Sequence, residues 1–320
     1  MKTFLIKTGL FLISLILLFS AAYYLTGSHK PELENDFMAA MIDKHERAEE
    51  IGSPKIIIAG GSNVAFNIDS KKIEEEFGLP VVNLGLSVGL GMEFIVNEIM
   101  DVAEEGNVVI FSITFFENID GIYALKRHTT RHFPKAERYF RLNLSEEFTI
   151  HSRILRDQLI NIGYTLMGRQ SDTGTADDDQ LFESESIYTR SNFNEYGDFI
   201  GHHGLPQVDQ LDQRFTFEYS YWEGINQLNR LNEDALKNGY SLYYIYPAYP
   251  FSDFERNREV LNLFREDMQS DLKFPILGDL EDSLYDESAF FDTAYHLRQE
   301  GVKARTEYFI ELMKSTVSAR

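Results

Sequence analysis

The stretch "KIIIAGGSNVAF", residues 55 to 66, runs an unbroken apolar pattern, Ile56 to Ala59, straight into two glycines, a serine and an asparagine. On these residues alone two readings of its end stay open. Gly60 and Gly61 supply backbone freedom for a sharp turn and nothing more, or the turn mounts Ser62 as a nucleophile at the carboxyl end of a buried strand. Outward from it, "IDSKKIEEEF" gives a short helix, with Asp69 or Ser70 as its cap and Gly78-Leu79-Pro80 as its stop. "VVNL" (81–84) is a second strand. Met92, Ile95, Val96, Ile99 and Val102 recur at helical spacing within 92–105, and Gly106 ends that helix. "VVIFSITFF" (108–116) is too continuously apolar for a half-exposed strand and reads as a buried parallel one.

The alternation breaks after residue 120. Residues 121 to about 215 read as an insertion: a basic, aromatic patch from Lys126 to Arg141, a helix from Ser145 to Met167, and an exposed polar loop, "RQSDTGTADDDQ", at 169–180. The pattern resumes with a helix over 217–237, the strand "SLYYIYP" (241–247), a helix over 253–271, the apolar stretch "FPIL" (274–277), and a last helix near 298–314. A polar, helical lead occupies 31–50. Strands alternating with helices predict an α/β fold with a parallel sheet covered on both faces and ligands outside the carboxyl ends of the strands.

Composition narrows the function. Hydrophobic residues make up 43% and aromatics 13%, enough for a packed core and too much for a disordered chain. A net charge of −21 excludes a nucleic-acid surface, because a polyanion is repelled rather than steered in. With no cysteine there are no disulfides, no thiolate metal site and no cysteine nucleophile. Lys2 and Lys7 precede an uncharged, mostly apolar run from Thr8 to about Thr26, close to the roughly 18–20 residues that span hydrocarbon. Residues 1–28 therefore read as a membrane anchor with a cytoplasmic N-terminus, or as a cleaved signal peptide for which "FSAAYY" is the one weak cleavage site. Residues 29–320 are then an extracytoplasmic domain, periplasmic or extracellular.

Serine chemistry needs a base, a group that orients the base, and donors aimed at an oxyanion. The late segment "FFDTAYHLRQEG" offers Asp292 and His296 just before the final helix, and "VNLGLSVGLG" (82–91) offers Asn83, Gly85, Ser87 and Gly89 after the second strand. Tyr246, Pro247 and Tyr249 end a strand on the same side and are candidates to line a sugar-binding pocket. Standing alone, Asp292 reads more readily as a cap or local turn ahead of that helix than as a catalytic group. His128, His132, His151, His202 and His203 read as ordinary surface or core histidines, and adjacent His202 and His203 point to different faces rather than to one metal.

The order strand-GxS, strand-NxGxS and a late Asp-His pair before a terminal helix resembles the SGNH (GDSL-type) hydrolase superfamily, over about 54–118 and 240–315. Its membrane-anchored members acting on O-acyl groups of cell-surface polysaccharides are the most similar. The resemblance implies a three-layer α/β/α, flavodoxin-like parallel sheet. It assigns Ser62 as nucleophile, Gly85 as an oxyanion donor, Asn118 or Asn63 in the place of a side-chain donor, and Asp292 and His296 as the rest of a triad, with no cofactor. Three departures stand out. Gly61 replaces the acid before the serine, the last pair is Asp292-x-x-x-His296 with one residue more than usual, and "ENID" (117–120) stands where Gly-x-Asn-Asp is usual. The expected function is a serine esterase or O-acyltransferase working on carbohydrate acyl esters, the transferase fed by a multispanning membrane acyltransferase. The alternative is a catalytically silent scaffold of the same fold in an envelope complex.

Overall fold

Three β-branched residues in a row, Ile56 to Ile58, favour extended backbone, and their side chains bury on both faces of it. In the computed structural model, which describes residues 34–141, 143–149 and 187–317 with scattered positions elsewhere, this stretch is an inner strand of a parallel sheet. A one-turn 3-10 helix, Phe37–Ala39, leads into α1 (Ala40–Glu50), β1 (Ile56–Gly60) and α2 (Ser62–Asn67). There follow α3 (Ser70–Phe77), β2 (Val81–Asn83), α4 (Gly91–Val102), β3 (Val108–Ser112) and α5 (Tyr123–His132). The chain then forms α6 (Gly224–Asn238), β4 (Ser241–Tyr244), β5 (Tyr249–Pro250), α7 (Phe251–Asp271), β6 (Leu284–Tyr285) and α8 (Gln299–Val317).

The main sheet runs in the order β2-β1-β3-β4, all parallel, with Ile57 opposite Val82 and Val109, and Ile110 opposite Tyr243. An isolated parallel bridge from Tyr244 to Ile276 extends it at the β4 edge, where the sequence has "FPIL". Alternate strand residues serve opposite faces, as the two-residue period of a strand requires. Ile57, Ala59, Val82, Val109 and Phe111 pack with Met41 of α1, Ile95 of α4, Leu228 of α6 and Phe264 of α7. Ile56, Ile58, Val81, Val108 and Ile110 pack with Ile73 of α3 and with Phe309, Ile310 and Met313 of α8. The result is a helix layer on each side of one sheet. Each fully buried isoleucine contributes on the order of 2–3 kcal/mol.

Several boundaries differ from the sequence reading, each for a local reason. A short helix that the spacing had not announced, α2, starts immediately after Gly61. α4 ends at Val102 because Asn107 Oδ1 takes the Glu104 N–H at 3.1 Å and closes a turn. β3 ends at Ser112 because the chain turns there, with Phe116 in the left-handed region at φ 56° and Thr114 Oγ1 donating to Glu117 at 2.7 Å. The expected start of the 217–237 helix moves to Gly224. Asn257 Oδ1 holds the Phe217 N–H at 2.8 Å and the Glu117 carbonyl holds the Trp222 indole N–H at 2.8 Å, so that segment stays outside the helix.

Within the expected insertion, the 3-10 segment Pro134–Tyr139 packs between α4 and α5, and Tyr139 and Phe140 join the core there. Residues 187–203 lie along β2 and α2, where the Asn83 N–H donates to the Tyr196 carbonyl and the Phe199 N–H to the Ala65 carbonyl, each at 2.8 Å. The 169–180 loop and most of the 145–167 helix fall outside the described residues. So does most of the apolar run from Thr8 to Thr26. Met1–Asn35 is a unit to itself, and among the described residues no helix is long and apolar enough to cross a membrane.

The register of β1 sets a test. Gly60 stands opposite Ser112, and a Cβ there would fall 1.8 Å from the Ser112 carbonyl oxygen. At Gly78, the α3 stop, φ is 64° but nothing lies within 4 Å of an added Cβ. Gly60→Ala is expected to cost roughly 3 kcal/mol or more, against about 1–2 kcal/mol for Gly78→Ala. Urea unfolding of both variants measures the difference, and equal losses would show that the β1–β3 contact gives way freely.

Candidate active site

The two glycines of the opening motif are packing requirements. Besides the Gly60 contact with Ser112, a Cβ on Gly61 would meet Val88 Cγ1 at 2.1 Å. The chain therefore turns without side chains between β3 and the loop after β2, and Ser62 emerges half-buried at the first position of α2. Its backbone N–H belongs to a first helical turn, whose amides have no acceptor within the helix.

His296 Nε2 lies 2.9 Å from Ser62 Oγ, across 234 residues of sequence, and His296 Nδ1 lies 2.8 Å from Asp292 Oδ1. A carboxylate only accepts, so the Nδ1 proton faces Asp292 and the Nε2 lone pair of the neutral ring faces the Ser62 hydroxyl. The extra residue between Asp292 and His296 does not part them. The Phe291 N–H bonds to the His296 carbonyl at 2.7 Å, and Phe290 and Leu297 form an antiparallel bridge. The loop thus closes on itself, with Thr293 Oγ1 taking the Tyr295 N–H at 3.1 Å.

α2 also supplies what holds the histidine. Asn67 Nδ2 donates to the Tyr295 carbonyl and Asn67 Oδ1 accepts from the Leu297 N–H, each at 2.7 Å, so one buried carboxamide brackets His296 from both sides. Phe66, four residues after Ser62 and so on the same helical face, stacks on the imidazole at 3.9 Å with 10° between the planes. His202 donates from Nε2 to the Leu297 carbonyl at 2.9 Å and lies against Phe66. Burial, and next its neighbour His203, push His202 down to about 4, so it serves as a neutral core donor.

Asp292 has a second partner, the hydroxyl of Tyr188, which donates to Oδ2. Burial pushes the Asp292 carboxyl up, but the hydrogen bond and charge of His296 and the Tyr188 hydroxyl outweigh it and hold the group below its ordinary value. Tyr188 is raised by its own burial and then by the Asp292 charge, so it remains a donor. Neither Tyr188 nor Asn67 was legible in the sequence. Tyr188 follows the polar loop of the insertion, and an asparagine at the end of a short helix carries no signal of its partners.

The remaining candidates lie otherwise than the sequence suggested. The Gly85 N–H is spent on Asn83 Oδ1 at 2.9 Å, and the missing side chain lets the loop pack on the Ser62 turn, where a Cβ would meet the Ala65 nitrogen at 2.7 Å. Asn83 is fully buried and donates to Asp198 Oδ1 and the Val64 carbonyl. Asn63 is buried and donates to Ser112 Oγ at 3.3 Å. Asn118 is exposed and folds its own turn, with Oδ1 taking the Asp120 N–H at 2.9 Å. Tyr249 is 0% exposed and wedged between Phe115 and Tyr295, so it lines no open pocket. Two hollows of about 670 and 690 Å³ occur beside Lys126 and Arg141 and beside Tyr221 and Lys273, and no triad residue lines either. No protein-family model matches this chain, and no curated protein matches its sequence.

Two variants test the support of the triad. Asn67→Ala leaves a buried carbonyl and a buried N–H without partners and is expected to cost roughly 2–4 kcal/mol in urea unfolding; a loss below about 1 kcal/mol would show that the bracket holds little. For Asp292 the sign follows from its depressed folded value. Its contribution to stability is complete above its ordinary value of 3.8 and is lost as pH falls through the lower folded value. Tyr188→Phe raises that folded value, shrinks the contribution and moves acid unfolding to higher pH. An acid titration followed by circular dichroism that superposes on wild type would refute this.

Proposed function

We propose that this protein is a serine esterase or O-acyltransferase of the SGNH kind, held to a membrane by residues 1–28 and acting on acyl groups, acetyl first, of cell-envelope or extracellular polysaccharide. The observation that carries the reading is the unbroken chain Ser62 Oγ, His296 Nε2, His296 Nδ1, Asp292 Oδ1, with separations of 2.9 and 2.8 Å. The strand order 2-1-3-4, with Ser62 at the carboxyl end of an inner strand, agrees with a doubly wound, flavodoxin-like sheet and its usual place for a site.

In this reading Ser62 Oγ attacks the ester carbonyl while its proton passes to His296 Nε2. Asp292 stabilises the imidazolium and keeps Nδ1 protonated, and Tyr188 keeps Asp292 ionised. The Ser62 N–H faces the developing oxyanion. Collapse expels the alcohol, which takes the proton from His296 and leaves an acyl group on Ser62. Water, or a sugar hydroxyl in the transferase, gives a proton to His296 and takes the acyl group.

One observation favours the second reading, a silent scaffold. The Gly85 N–H is bonded to Asn83 Oδ1 and the Asn63 amide to Ser112 Oγ, so two of the assigned oxyanion donors already have another acceptor. Covalent labelling decides between the two. A fluorophosphonate probe is expected to label the full-length protein in detergent and not Ser62→Ala. His296→Ala and Asp292→Asn should cut aryl-acetate turnover by about three to four orders of magnitude with the fold retained. Wild type that stays unlabelled while binding acylated polysaccharide would establish the scaffold instead.

A further inference from the structure

α5 carries "HTTRH" (128–132), two histidines four residues apart, a spacing that turns both imidazoles to one helical face. Facing them is Asp36, fixed at the head of the 37–39 turn, where Oδ1 accepts the Met38 N–H at 2.8 Å. Asp36 Oδ2 lies 2.9 Å from His128 Nε2, and Oδ1 lies 3.5 Å from His132 Nε2. All three donor atoms lie within 4.8 Å of one another. We propose that Asp36, His128 and His132 form a binding site for one divalent transition-metal ion of the zinc class.

An Asp-His ion pair alone accounts for only part of this arrangement. The His132 side chain is 6% exposed, and its Nε2 is buried without a hydrogen bond. A buried nitrogen without a hydrogen bond costs on the order of 1–3 kcal/mol. An ion centred among the three groups takes a lone pair from each and removes that cost. Four ligands at about 2.0–2.2 Å in a tetrahedron stand roughly 3.4 Å apart, and the present 2.9 and 3.5 Å straddle that spacing. Two imidazole nitrogens and one carboxylate oxygen suit zinc-class ions, whereas magnesium and calcium take oxygen ligands. The positive charges of Arg131 and Arg190 oppose a dication here. Arg190 is held by Asp43, at 2.7 Å from Nε and 2.5 Å from Nη2.

The role of the ion is structural. Asp36 forms an antiparallel bridge with Thr189, next in sequence to the Tyr188 that donates to Asp292. The ion ties α5 to the start of the domain at the point where that segment is paired. The inference stands independently of the proposed acyl chemistry and is read without an activity assay.

The test uses the full-length protein stripped with a chelator and titrated with cobalt(II) chloride, then with zinc chloride. Expected are about one equivalent of bound cobalt with the visible absorption of a low-coordinate histidine site, its displacement by zinc, and a higher melting midpoint in zinc. His128→Gln and His132→Gln should each weaken zinc binding by more than the roughly 10–100-fold that loss of a supporting residue costs, and should abolish the cobalt absorption. If His132→Gln fails to fold by circular dichroism, the half-exposed His128 variant decides. Wild type without cobalt absorption, or a zinc-induced rise in melting midpoint that survives in the folded variants, overturns the site.

Discussion

The Asn67 carboxamide is the hinge on which the candidate site depends. It bonds to the backbone on both sides of His296, across 228 and 230 residues of sequence, from the same short helix that begins with Ser62. Serine and histidine are therefore positioned by one rigid element rather than by two loops that must find each other. A hydrogen bond of 2.9 Å tolerates only small displacements, and a helix of one and a half turns fixed at both ends permits little movement. Phe66 adds a flat apolar face on the same element, which sets the plane of the imidazole.

That helix can sit where it does because the chain before it has no side chains. The Ser112 carbonyl and Val88 occupy the space that Cβ atoms on Gly60 and Gly61 would need, and Gly85 brings the next loop onto the same turn. Close packing around the tight turn is what presents the Ser62 hydroxyl at the carboxyl edge of the sheet.

Buried charge holds the neighbouring segment in place. Asp198 accepts from Ser70, Asn83 and Asn194, and burial raises its carboxyl. Lys44 donates to the carbonyls of Asn83 at 2.9 Å and Gly197 at 2.5 Å, and burial lowers it. These contacts pin residues 194–198 against β2 and α3. A few residues before it, Tyr188 supplies the second partner of Asp292. Breaking such a network costs more than an exposed pair would, because each deserted group stays out of water.

How much of this was legible in the sequence divides along the range of the forces involved. Apolar runs and their spacing set β1, β3 and the helices α3, α4 and α7 within a few residues, because burial period and end signals such as Asp69 and Gly78 act locally. Ser62, Asp292 and His296 were legible as residue types placed after strands and before a helix, but their mutual distances were not. The donor groups expected of Gly85 and Asn63 have other acceptors here, Asn83 Oδ1 and Ser112 Oγ. Each polar group bonds to the nearest available partner once the backbone is in place, and a motif does not say which partner that is. Tyr188, Asn67 and the pairing of Asp36 with His128 and His132 depend on contacts between residues far apart in the chain. The sequence by itself determined the elements and the chemically capable residues; only the tertiary structure decided which of them meet, because hydrogen bonds and charges act over a few ångströms that chain order does not measure.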